Sequence, residues 1–317
     1  MKKDSMLIWP RGIYHFGLES IPNILNGTGH FMNIKTDNLY LCSFASPDLE
    51  KSKKRFLSQA KKMGIYKKVK VFGFDDLSIS KRNQIKNFFR NKKKRLFGYG
   101  CWKAEIIKNF LKKVPNNSIV QYSDVGCHFN INGLKRLKQY SRLCNKKGIL
   151  TFKYKLPKQK ELKSIKNVKF QRYLEHEYTK MDLYKYLIKK NKTKILHSEQ
   201  IMSGIIFFKK NKFSLNLLSD WEKILKKDNL IDDSKSSFRN HKKFIEHRHD
   251  QSAFSLICKK KGVFSISSAE CEWAEKKNKR IWQHLKNFPI HARRDKRYNM
   301  FKRFLNRQTK NLRRLLN

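Results

Sequence analysis

The stretch Ser118-Ile119-Val120-Gln121-Tyr122-Ser123-Asp124-Val125-Gly126-Cys127 decides how the rest of the chain is read. Ile119, Val120 and Tyr122 in its first six residues are β-branched or aromatic, and Pro115-Asn116-Asn117 breaks the chain just before them. A run of that kind between turn residues reads as a buried strand of a parallel sheet, covered on both faces. Asp124 then stands just past the strand's carboxyl end, where open α/β sheets bind their ligands.

Outward from this strand the same grammar repeats. Asn38–Ala45 is an apolar run ending in small residues, a second buried strand. Leu49–Met63 places Leu49, Phe56, Leu57 and Ala60 on one helical face, and Gly64 stops it. Val69–Phe74 follows as a strand, completing a β-α-β unit. A basic helix or pair of turns over Ser80–Arg95 and a helix over Trp102–Lys113, with Trp102, Ile106, Phe110 and Leu111 on one side, lead back to the opening stretch. Downstream, the pattern predicts helices over Asn132–Asn145, Thr179–Lys190, Leu215–Lys226 and Asp250–Lys260. It predicts strands over Gly148–Tyr154, Ile201–Phe208 and Val263–Ile266, and a lysine-rich surface loop over Leu156–Lys169. The fold class expected is α/β: a Rossmann-like, mostly parallel central sheet flanked by helices. Residues 1–37 read as an irregular segment with a short strand at His30–Ile34, residues 38–292 as the main domain, and residues 293–317 as a basic amphipathic helical tail.

A chain of 317 residues suits one large α/β domain with appendages. Apolar residues make up 39% and aromatics 13%, enough for a core, so the mean hydropathy of -0.73 reflects a charged exterior and not disorder. The formal net charge of +49 attracts polyanions. It is mostly lysine spread along the whole length, whereas nucleic-acid readers concentrate arginine, so nucleic acid is the weaker partner reading. Clustered basic residues in the tail suit peripheral contact with anionic membrane, at about 1 kcal/mol per residue.

Cys42, Cys101, Cys127, Cys144, Cys258 and Cys271 show no C-x-x-C spacing, which argues against a zinc ribbon and for buried free thiols in a reducing compartment. There is no signal-peptide pattern and no apolar stretch of roughly 20 residues, so a cytoplasmic location is expected. Glycine-rich phosphate loops of the G-x-G-x-x-G or Walker type and a nucleophile elbow are missing, which removes the simplest dehydrogenase, NTPase and Ser-His-Asp hydrolase readings.

Three constellations carry chemistry. The first joins Phe97-Gly98-Tyr99-Gly100-Cys101-Trp102-Lys103, through a helix, to Tyr122-Ser123-Asp124-Val125-Gly126-Cys127-His128. It resembles bacterial and viral glycosyltransferases of the GT-A superfamily, in which a G-Y-x-x-W-K segment precedes a helix and a Y-x-D-x-G-C strand end. The resemblance implies a nucleotide-sugar donor site made by Ser43, Phe44, Tyr99, Trp102, Lys103, Asp124 and Gly126. It also implies a divalent metal, Mn2+, held by Asp124 and a late histidine, His291, to neutralise the diphosphate leaving group. The superfamily's strand end usually reads Asp-x-Asp, and here Gly126 stands where the second carboxylate would be. That leaves the charge to Asp124 with help from another segment, or to Lys103 and neighbouring bases. Taken as a residue type alone, Asp124 also suits a turn after a strand.

The second constellation, His197–Ile206, is similar to the superfamily strand whose small pair, here Ser203-Gly204, lines the acceptor side, although a plain core strand fits as well. The third is Glu246-His247-Arg248-His249-Asp250-Gln251-Ser252. The resemblance makes Asp250 the catalytic carboxylate, as general base or donor-orienting group, and Gln251 an acceptor-side residue. Asp250 equally suits a helix N-cap. His247 and His249 alternate as two ligands on an extended segment would, with no third ligand at zinc spacing nearby. Asp182, in Tyr178-Thr179-Lys180-Met181-Asp182, resembles another acceptor-side position, and a capped helix start explains it as well.

Together these features point to transfer of a hexose-type sugar from a nucleoside-diphosphate donor to a glycan, lipid-linked or protein acceptor, as in polysaccharide biosynthesis. The competing reading is a basic nucleic-acid-binding protein, or a nuclease with Asp124 and Asp250 holding a metal.

Overall fold

The computed structural model describes residues 38–91, 95–157, 162, 167–189, 193–293 and 308. The strand expected at His30–Ile34, the basic tail and most of the Leu156–Lys169 loop lie outside the described residues.

Eleven strands are described: β1 (Leu39–Phe44), β2 (Lys68–Phe72), β3 (Ile119–Ser123), β4 (His128–Phe129), β5 (Ile149–Lys153), β6 (Lys169–Phe170), β7 (Ile205–Lys209), β8 (Ser265–Ser267), β9 (Ala274–Lys276), β10 (Lys279–Ile281) and β11 (Ile290–His291). Six make the central sheet, in the order β2-β1-β3-β7-β5-β8. β1 pairs in parallel with β2 and β3, and β5 with β8, while β7 runs antiparallel to both β3 and β5. The protein is thus α/β with a mostly parallel sheet flanked by helices. Because β7 is reversed, its entry at Ser203-Gly204 shares one sheet edge with the exits of β1 and β3; Ser123 pairs with Ile205.

Burial follows the two-residue period of the strands. On one face Cys42, Phe44, Val120, Tyr122, Ile206 and Phe208 pack against helices α2 (Ile79–Arg90), α3 (Lys103–Lys113), α6 (Lys212–Leu225) and α7 (His249–Lys260). On the other, Leu39, Leu41, Ile119, Leu150, Ile205 and Phe207 meet α1 (Glu50–Lys62) and α4 (Leu134–Lys147). The remaining longer helix, α5 (Met181–Leu187), buries Leu183, Tyr184 and Leu187 in the first cluster. All six cysteines are buried and none is disulfide-bonded.

Local chemistry sets the helix ends. Ser78 accepts a hydrogen bond from Lys81 N and starts α2 earlier than the expected Ser80. Asn211 caps α6 through Ser214 N, three residues into what the sequence pattern left outside the helix. Gly64, at φ +63°, follows the last residue of α1's final turn, as the left-handed position after a helix requires. Three small pairings were not anticipated: β4 with β11, and β9 with both β10 and β6. Among the described residues no helix is long and apolar enough to cross a membrane.

Candidate functional site

The site is built at the sheet edge where β3 ends and β7 begins. Asp124 leaves β3 with its N–H donating to Gly204 O at 2.8 Å, which ties the two strand ends together. The Tyr122 hydroxyl, fully buried beneath, donates to Asp124 Oδ1 at 2.7 Å. From α3, Lys103 brings its ammonium to 3.3 Å from Asp124 Oδ1 and 2.7 Å from Asp250 Oδ2. Ser203 donates to that same Asp250 oxygen at 2.7 Å, and Lys103 donates to Ser203 Oγ at 3.4 Å. Trp221 Nε1, on α6, donates to the backbone carbonyl of Asp250 at 3.1 Å and fixes the first turn of α7.

Two glycines close the cluster. A Cβ on Gly204 would lie 2.9 Å from Asp124 Oδ2, and one on Gly100 would lie 2.9 Å from Asp250 Oδ1. Gly100 ends a stretch in which Leu96, Phe97, Gly98, Tyr99 and Gly100 all have positive φ, a left-handed turn held by Tyr99 N–H to Arg95 O at 2.8 Å. Left-handed backbone costs a non-glycine residue roughly 1–2 kcal/mol, so surrounding packing must impose it. It does: Tyr99 is buried against Phe88 and against His249, whose ring centroid is 4.6 Å away. The turn therefore fixes where Trp102 and Lys103 enter α3. Trp102 stacks on Phe44 with centroids 3.9 Å apart and planes 21° from parallel.

The two carboxylates differ in exposure. The side chain of Asp124 is 49% exposed, whereas that of Asp250 is 4% and that of Lys103 is 7%. Burial works against the Lys103 ammonium, but Asp124 and Asp250 more than offset it, so its pKa lies above the ordinary lysine value and it stays charged. Asp250 sits inside the first turn of α7 with its carboxylate spent on Lys103 and Ser203, and the helix has no side-chain cap; the N-cap role is not the one it plays.

The other candidates lie in different surroundings. Ser43 faces away from Trp102, on the opposite side of β1, and its hydroxyl is buried without a hydrogen-bond partner, as is Trp102 Nε1. Gly126 lies in the turn after Asp124, half-buried. Gln251 donates to Gln200 Oε1 at 2.8 Å, joining a buried network of Glu175, Thr179, Gln200 and Ser252 that sequence patterns did not suggest. Asp182 accepts from the backbone N–H groups of Ser237 and Phe238, at 3.0 and 3.3 Å, and so holds that loop. His247 and His249 place a ring nitrogen 3.0 Å from Leu230 O and 2.7 Å from Ile231 O, tethering the short helix Asp228–Ile231. Burial drives the pKa of His247 down to about 3 and that of His249 well below the ordinary value, so both are neutral imidazoles.

A divalent ion at Asp124 asks for several oxygen ligands on one point. The residues present do not fit it: Gly126 offers no carboxylate, and the point between Asp124 and Asp250 is filled by the Lys103 ammonium. His291, on β11, turns Nε2 toward the carbonyls of Leu285 and Phe288, at 2.9 and 3.2 Å. Among the described residues no three His, Cys, Asp or Glu side chains are gathered to hold a metal ion.

No family model matches the chain, and no curated protein matches it. Among solved structures it is similar to the crystal structure of mouse xyloside xylosyltransferase 1, apo form, at 10% identity and a TM-score of 0.37, covering 74% of this chain and 87% of that one. A likeness this distant bears on neither activity nor substrate.

Proposed function

We propose that the protein is a glycosyltransferase that moves a sugar from a nucleoside-diphosphate donor to a hydroxyl of a glycan, lipid-linked or protein acceptor. The observation that carries this reading is the Lys103-Asp124-Asp250-Ser203 cluster at the carboxyl ends of parallel strands, one half-exposed carboxylate beside a buried ammonium. It adds to the resemblance of the G-Y-x-x-W-K and Y-x-D-x-G-C segments to GT-A enzymes.

In the reaction, the bond between the anomeric carbon and the β-phosphate oxygen breaks with its electron pair going to the diphosphate, and the acceptor oxygen takes its place while its proton passes to solvent. The departing diphosphate gathers negative charge, which a preorganised ammonium stabilises. Lys103 supplies that ammonium. Asp124, open to solvent, accepts hydrogen bonds from donor hydroxyls, and the missing side chain at Gly204 leaves room for the Asp124 carboxylate itself. Asp250 is a positioning residue: with Ser203 and Lys103 on its buried carboxylate, it holds the ammonium in place. The nuclease alternative needs Asp124 and Asp250 to share a metal, and the same lysine argues against it.

Thermal stabilisation by ligand tests the reading, because a ligand that binds the folded state alone raises the melting temperature. UDP, GDP and their sugars are titrated beside single- and double-stranded DNA. Stabilisation by one nucleoside diphosphate, without tight and steeply salt-dependent DNA binding, supports the transferase. The opposite pattern removes it.

A further inference from the structure

Asp124 and Asp250 come close enough to share one cation, and the cation they share is Lys103. Resting on the donor reading above, the geometry points to a nucleoside-diphosphate site that works without a divalent ion, with the Lys103 ammonium in the ion's seat.

An ammonium has three N–H donors. Asp250 and Ser203 take two of them on the buried side, at 2.7 and 3.4 Å, and Asp124 takes the third at 3.3 Å on the side open to solvent. The Asp124 contact is thus the exchangeable one. A phosphate oxygen arriving from solvent replaces it, while Asp124 keeps the Tyr122 hydroxyl and turns its second oxygen to the ligand's hydroxyl groups. The buried half stays fixed, because the ammonium also lies over the rings of Trp102 and Tyr122, 5.8 and 5.3 Å from their centroids.

A metal ion has no comparable route in. To bridge the carboxylates it must expel Lys103 from a place where its side chain is 7% exposed. Nor is Asp250 free to turn toward an ion, because Lys103 and Ser203 both hold its Oδ2, at 2.7 Å each. The glycine at 126 removes the remaining carboxylate that would favour a hard cation over an ammonium.

The test measures binding of UDP and GDP to the full chain, by calorimetry and melting, in EDTA and in excess MnCl2. The nucleotide that binds is expected to do so with equal affinity in both, and Lys103→Ala lowers affinity in EDTA by about 10- to 100-fold, the size of one charge-assisted hydrogen bond. Should Lys103→Ala not fold, paramagnetic resonance of Mn2+ with wild-type protein and nucleotide is decisive, and no uptake of the ion beyond that by nucleotide alone is expected. Wild-type binding that appears only with manganese, or ion uptake by the complex, overturns the inference and leaves the transferase reading standing. Binding of neither nucleotide under any condition overturns both.

Discussion

Gly100 rests against the carboxylate of Asp250: a Cβ at position 100 would lie 2.9 Å from Asp250 Cγ and Oδ1, and Gly100 holds φ at +71°. One glycine thereby joins a left-handed turn to the most buried carboxylate of the site. Gly100→Ala is expected to destabilise the protein by about 1–3 kcal/mol through backbone strain alone, and to push Asp250 off Lys103. Urea unfolding reads the first effect and nucleotide affinity the second. An alanine variant with unchanged stability and affinity would contradict this account of the turn.

The Lys103–Asp250 pair is buried, so removing one partner strands the other's charge. Lys103→Met is expected to cost about 3–5 kcal/mol. Combined with Asp250→Leu it should cost clearly less than the sum of the two single changes, since the double variant buries no lone charge. Equal and additive losses in urea melts would mean that the two groups do not interact.

Neutral buried histidines make stability depend on pH. With both folded values below the unfolded one near 6.5, the unfolded chain binds more protons than the folded chain below pH 6.5, for His247 down to about pH 3. Stability therefore falls as pH drops through that window, by up to about 1.4 kcal/mol per pH unit for each of His247 and His249. His247→Gln should flatten the slope of melting temperature against pH below 6.5. An unaltered slope would assign the acid sensitivity elsewhere.

Much of the sheet was legible because its strands are covered on both faces and read as continuous apolar runs. β1, β3 and β5 fall where the pattern put them, and β7 starts four residues later than expected, at Ile205. The reversal of β7 was not legible, since a strand buried on both faces has the same composition in either direction. The left-handed turn was hidden for a different reason. Gly98 and Gly100 announce it, but Phe97 and Tyr99 adopt it through packing against Phe89, Phe88 and the distant His249. The β9–β10 hairpin had a readable signal in Asn278, whose positive φ, with that of Lys277, makes the tight two-residue turn.

Within the site, the resemblance implied Lys103 and Asp124 on the donor side, Ser203 and Gly204 on the acceptor side and Asp250 as the catalytic carboxylate, and the fold brings those five together. Asp182, Gln251 and His291 were drawn from short local motifs. Their partners, the loop at 237–238, Gln200 and two backbone carbonyls, depend on tertiary arrangement that no local spacing encodes. The bridging position of the ammonium was out of reach for the same reason.

Turnover of nucleotide sugars separates a working transferase from a fold without that activity. Wild-type protein and Asp124→Asn are incubated with UDP- and GDP-sugars, and release of nucleoside diphosphate is followed. Wild type is expected to cleave one donor class, and Asp124→Asn to lose about 100-fold or more in rate, the usual scale for one preorganised polar group. Circular dichroism and a melt check that the variant is folded, since Lys103 loses one of its two carboxylates. No cleavage of any donor by wild type, or equal cleavage by a folded Asp124→Asn, would contradict the assignment.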